Sequence, residues 1–165
     1  MKSQDMLVLS VLMKKGAGKL SYSGIGRNAK ISVSEAFAAV KRLREADLVN
    51  SAHDIRRRNV EEFLFHGLRY MFPLKVTGEM ASGMPTGFAA PVSSDAFAVC
   101  GHVPVWNSRR GDTVGRVCEP IYPTAPDAAA EDSAVYAHLA LMDMLRGGHL
   151  RERRFAEEKL KEMLA

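Results

Sequence analysis

The chain has only two cysteines in 165 residues, Cys100 and Cys118. That is too few for the disulfide frame of a small secreted domain, and reduced thiols in a cytoplasmic protein are the expectation. No apolar run approaches the ~20 residues that cross a bilayer, so no membrane contact is expected. The stretch MKSQDMLVLSVLMKK carries apolar residues broken by Ser10, closed by Lys14 and Lys15 and followed by no small-residue cleavage site, unlike a secretory signal. Motifs for chemistry are missing too. GIGRNA (24–29) has the spacing of a dinucleotide-binding loop, but polar KLSYS precedes it where a buried strand is required. GAGKL (16–20) lacks the first glycine and the final Ser or Thr of a phosphate-binding loop. Cys100, His102 and Cys118, with His53 or His66, do not have the spacing of zinc ligands, and there is no C-x-x-C. No nucleophile–base arrangement or carboxylate pair stands out. The expectation is therefore no enzyme, no metal and no cofactor.

What is present is a soluble-protein composition, 47% hydrophobic and 25% charged, in a length suited to one domain or two small modules sharing a core. The net charge of +4 is unevenly spread. Residues 1–58 hold 12 Lys and Arg against 5 Asp and Glu, whereas residues 59–165 hold 11 against 14. A basic module joined to a mildly acidic one points to a polyanion as the partner of the first, a solvated basic face being the plainer alternative.

Within the basic part, ISVSEAFAAVKRLREADLV (31–49) starts with a capping box, Ser32 and Glu35, and continues with apolar residues at helical spacing. Val33, Ala36, Phe37, Val40 and Leu43 are expected inward; Ser34, Ala38, Lys41, Arg42 and Glu45 outward. A first helix with Asp5 as its cap carries Met6, Leu7, Leu9, Val11, Leu12 and Met13. Between the two, LSYSGIGRNA (20–29) forms a short helix capped by Ser21, with Tyr22, Ile25 and Ala29 inward and two helix-weakening glycines, Gly24 and Gly26. Helix, short helix, tight turn and longer helix compose a helix-turn-helix.

SYSGIGRNAKISVSEAFAAVKRLREADLV resembles the core of bacterial winged helix-turn-helix regulators of the MarR type, over the first third of the chain. The resemblance implies a homodimeric transcription factor that binds double-stranded DNA through a recognition helix at residues 32–46. On that basis Lys41 and Arg42 are the main expected base or phosphate contacts, with Ser34 and Ala38 near base edges. Ser21, Ser23, Arg27 and Lys30 are assigned to phosphates. NSAHDIRRR (50–58) leaves room for one short extended piece, so Arg56, Arg57 and Arg58 are assigned the role of the wing.

The remainder carries no such resemblance. NVEEFLFHGLRYMFP (59–73) is expected to be a connecting helix over 59–72, capped by Asn59 with Glu62 and ended by Pro73. Residues 74–96, rich in Gly, Ser, Ala, Pro and Met, show no periodicity and are expected to be a loop. AFAVCGHVPVW (96–106) and TVGRVCEPIY (113–122) are expected to pair as a hairpin about NSRRGD, followed by a rigid linker, YPTAPD. Two helices, 133–146 and 149–165, close the chain. Leu150, Phe155 and Leu160 on the last, or Met6 and Leu7 on the first, are expected to form the dimer surface.

The expected fold is thus mainly α with a small β element (α+β): a winged helix-turn-helix over 1–58, a connecting helix, and a C-terminal module over 73–165 for dimerisation or sensing. A protein partner or small-molecule effector is expected at residues 74–122. The alternative function is an interaction or effector-sensing adaptor that docks a partner enzyme and uses the helix-turn-helix as scaffold.

Overall fold

The computed structural model describes residues 1–98 and 101–165. Among these residues the fold is α+β and mainly helical, with eight α-helices and three strands. At its centre is α1 (Ser3–Leu12), buried from Gln4 to Leu12. A helix apolar around its whole circumference must be covered on every side, and α1 packs against α2 (Tyr22–Ala29) and α3 (Val33–Glu45) on one flank and against α7 (Ser133–Gly147) on the other. Its polar residues are satisfied locally or by neighbours. Ser10 donates to the Leu7 carbonyl at 2.7 Å, and the Gln4 amide donates to Glu35 and to the Tyr122 hydroxyl, both at 3.0 Å. Met6 and Leu7 are fully buried inside the chain, so they are not the dimer surface that the sequence suggested. Asp5 is not the cap of α1 either. It lies one turn in, where it accepts from the Lys2 amide at 2.7 Å.

The two C-terminal helices form as their patterns indicate. Asp132 caps α7, accepting from the amides of Ala134 at 3.0 Å and Val135 at 3.2 Å. On α8 (Leu150–Met163), Ala156 and Leu160 face the core, whereas Leu150 is exposed. Buried apolar residues from α1, α2, α3, α7 and α8 belong to one cluster, so the N-terminal and C-terminal thirds share a core.

Three local expectations fail. The helix expected over 59–72 is two helices, α4 (Arg57–His66) and α5 (Leu68–Met71), broken at Gly67. Asn59 is inside α4 and reaches back to the Asp47 carbonyl at 2.8 Å instead of capping. The second half of the expected linker is the start of α6 (Ala125–Glu131), with Pro126 in its first turn, where a missing N–H costs nothing. Last, the expected loop contains β1 (Val76–Pro85), and among the described residues the two strands expected to form a hairpin do not pair antiparallel. β2 (Pro104–Asn107) and β3 (Thr113–Cys118) each pair antiparallel with β1 (Met84 opposite Trp106, Ala81 opposite Gly115) and pair parallel with each other (Val105 opposite Val117). The three strands close on themselves.

Closure so tight needs glycine. A Cβ on Gly83 would overlap the Trp106 carbonyl, and one on Gly115 the Val103 carbonyl. The barrel is held to α7 by Asp143, which accepts from the Trp106 indole and the Thr86 hydroxyl at 2.8 Å each and from Arg146 at 2.5 Å. Arg146 in turn donates to the Phe72 carbonyl at 2.7 Å, tying the end of α5 to the same point.

Candidate nucleic-acid interface

α2 and α3 meet at a turn that the sequence makes possible in two ways. Lys30 adopts the left-handed conformation (φ 56°) that closes α2, a strain a non-glycine residue bears at a cost. Gly26 lets the turn fold back onto α2: the Ile31 amide donates to the Gly26 carbonyl at 2.9 Å, and a Cβ on Gly26 would come within 2.9 Å of the Ile31 carbonyl. The second helix then starts from the expected capping box. The Glu35 amide donates to the Ser32 hydroxyl at 3.2 Å and the Ser32 amide to the Glu35 carboxylate at 2.9 Å. The Ser32 hydroxyl, the Ser32 amide and Gln4, in that order, hold the Glu35 carboxyl below its usual range.

α3 buries Ala36, Ala39, Val40 and Leu43. Small side chains at 36 and 39 let it lie close on α1 and α2, so the buried stripe is narrower than the sequence pattern suggested. Val33 and Phe37, expected inward, are each 52% exposed. The Phe37 ring stands edge-on to Tyr22 of α2 (centroids 5.1 Å apart, planes at 72°), and Tyr22 leans in turn on His53 at 4.9 Å. A period-based reading could have found Phe37 only by limiting the stripe to the alanine positions.

Arg42, expected outward, turns the other way. Its guanidinium grips Asp5 of α1 with Nε at 2.9 Å and Nη2 at 2.6 Å. Asp5 is fully buried, and its hydrogen bonds raise the Arg42 pKa further above its ordinary value. Arg42 is therefore a strut between α1 and α3, and its fork is already filled. Ser34 is exposed, its hydroxyl 3.1 Å from that of Ser32, Ala38 is half-buried, and Lys41 is exposed with Glu45 4.0 Å away.

On α2, Ser21 caps the helix by accepting from the Gly24 amide at 3.2 Å, and Ser23 and Arg27 point to solvent. Lys30 is paired with Glu131 of α6. The segment expected to be the wing holds a single bridge, Val49 opposite Ile55, around a loop that Asn50 closes by accepting from the amides of Ala52 and Asp54 at 2.9 Å. Arg44, given no role by the sequence pattern, sews this loop to α3 by donating to the carbonyls of Asn50 at 3.3 Å and Ser51 at 2.8 Å. The arginines assigned to the wing follow it instead. Arg56 precedes α4 and pairs with Asp47 at 3.1 Å; Arg57 and Arg58 are in its first turn, Arg57 holding Glu61 at 2.7 Å and Arg58 exposed.

The structure thus brings Ser21, Ser23, Arg27, Ser34 and Lys41, with Val33 and Phe37, onto solvent-facing parts of α2 and α3. Cys118 has no part in it: it is buried at the end of β3, and burial pushes its thiol up to about 11, so at neutral pH it is a thiol and not a thiolate. Cys100 lies outside the described residues. Among the described residues no helix is long and apolar enough to cross a membrane. Comparisons with family models, with curated proteins and with solved structures return no match for this chain.

Proposed function

We propose that the protein is a double-stranded-DNA-binding transcriptional regulator of the winged helix-turn-helix type, acting as a homodimer in the cytoplasm. One observation carries the reading: α3 buries only Ala36, Ala39, Val40 and Leu43, leaving a two-helix unit with an open outer surface in a segment that has an excess of basic residues, among them the exposed Arg27, Lys41 and Arg58. A helix held by its inner stripe, with its outer face free and cations beside it, has the form needed to enter a major groove while the cations meet phosphates. The short wing and the inward turn of Arg42 reduce the surface one copy can offer, which favours a dimer on two half-sites. Leu150 and Phe155 on α8 remain as its contact. The test is a titration of random-sequence duplex with the full chain at several salt concentrations. Affinity should fall steeply as salt rises, because each neutralised phosphate releases counterions. Binding that is absent at low salt, or indifferent to salt, overturns the proposal.

A second reading, an adaptor that senses a small molecule, is favoured by a pocket of about 270 Å³ between the barrel and α7, lined by Leu74, Phe88, Pro104 and Met144 with His102 and His149 among its polar residues. It is compatible with the first, since an effector seated there would touch both the barrel and the helix that packs on α1.

A further inference from the structure

We infer that α3 recognises thymine methyl groups through Val33 and Phe37, so that the preferred half-site places A·T pairs where the N-terminal half of the helix enters the groove. The inference rests on the DNA-binding reading above and names what that surface selects.

The usual polar readers of bases are missing from the open face of α3 over its first two turns. Guanine is read most often by an arginine or a lysine on its O6 and N7, and adenine by Asn or Gln on N6 and N7; the exposed lysine of α3, Lys41, lies beyond the first two turns. α3 has no Asn or Gln. The fork of Arg42 is filled by Asp5, and Arg44 is spent on the loop carbonyls. Glu35, an acid of the kind that accepts from cytosine, is closed into the capping box. What α3 turns to solvent over its first two turns is Val33, Ser34 and Phe37, with Ala38 half-exposed and Lys41 one turn further on. The only apolar group a base pair displays in the major groove is the thymine 5-methyl.

Phe37 is also built to meet something. An aromatic ring half in water is ordinarily free to rotate, but this one is propped edge-on by Tyr22, which His53 supports from the wing loop. Its orientation is set before binding, so little side-chain freedom remains to be lost on contact. The neighbours decide the class of partner. Lys41 lies one turn beyond the ring on the same helix, Glu45 lies at the far end of the helix, and the segment as a whole is basic. An apolar pair followed by a lysine, in a segment with an excess of basic residues, is complementary to the floor and walls of an A·T-rich major groove, more than to an apolar protein surface.

The experiment selects the tightest duplexes from a random library with the full chain, then resynthesises the best one with each thymine in turn replaced by deoxyuridine. That change removes the methyl and keeps the pairing. Wild type should lose about fourfold in affinity at one or two thymines per half-site, the value of one buried methyl-sized group. Phe37→Ala should bind the thymine and deoxyuridine duplexes equally; Val33→Ser should lose the preference at a neighbouring position and serves where Phe37→Ala disturbs folding. Sequence-specific binding that is indifferent to deoxyuridine at every position overturns this inference and leaves the DNA-binding proposal standing. Absence of salt-sensitive duplex binding overturns both, and directs attention to a protein partner for the same apolar pair.

Discussion

Asp5 and Asp143 are the two buried carboxylates among the described residues, and each holds an arginine, but the two pairs shape opposite halves of the molecule. Asp5–Arg42 joins two helices across 37 residues of chain, and by drawing Arg42 inward it takes the guanidinium off the open face of α3. Asp143–Arg146 spans less than one turn of α7, is almost wholly buried, and collects the Trp106 indole, the Thr86 hydroxyl and the Phe72 carbonyl around it. The first pair decides what α3 shows to solvent. The second shows nothing to solvent and docks the barrel. A buried ion pair is weak evidence for stability in itself, but removing one partner leaves an orphaned charge, and that asymmetry makes the comparison testable.

The largest effect is expected from Asp143→Ala. It strands the Arg146 guanidinium and the Trp106 indole together and should cost about 3–5 kcal/mol, read as a lower denaturation midpoint. The surviving folded fraction should bind DNA normally, since nothing around Asp143 faces α3. Somewhat smaller, about 3 kcal/mol, is the expected cost of Arg42→Ala, because Asp5 is fully buried while the arginine is partly open to water. A variant with unchanged stability and weakened duplex binding would show that Arg42 leaves Asp5 to read DNA, and the contrast between the pairs would collapse.

A pH test probes the join between the two halves. His138 of α7 sets its Nδ1 2.9 Å from the Ser10 carbonyl of α1, and burial lowers its pKa from the ordinary 6.5. The carbonyl only accepts, so the neutral ring carries its proton on Nδ1. With a folded pKa below the unfolded one, the unfolded chain binds the extra proton, and stability is lost as pH falls below about 6.5. Asp132 feels burial that raises its pKa, outweighed by Lys14 and the amides it caps, so it stays below its ordinary 3.8. Glu35 is likewise held below 4.5, and both lose their contribution only at lower pH. Urea midpoints measured from about pH 7 to about pH 5 should therefore fall more in wild type than in His138→Gln. An unchanged slope in the variant would remove His138 from the account.

The smallest change in stability belongs to the open face. Arg27→Ala and Lys41→Ala should alter stability by less than about 0.5 kcal/mol, while each lowers the slope of log affinity against log salt by about 1. A stability loss as large as that of Arg42→Ala would make these side chains structural as well.

How far the chain could be read without its structure follows from the range of each interaction. Ser21, Ser32 with Glu35, and the helices near the C-terminus depend on residues three or four positions apart, and their signals are complete within one short window. Asn59 was misleading because its amide is claimed by Asp47, twelve residues away. β1 left no alternating pattern because both of its sides are paired and Gly83 is required by closure, so its residues answer to Trp106 and Gly115 more than to each other.

The candidate interface divides the same way. That two helices join in a tight turn, with serines at their starts and cations outward at Arg27 and Lys41, was determined by local sequence alone. That Arg42 faces inward and Phe37 outward was decided only by tertiary structure. The reason is that a side chain on the flank of a helix goes wherever its best partner stands, and those partners are a buried carboxylate on α1 and a tyrosine on α2.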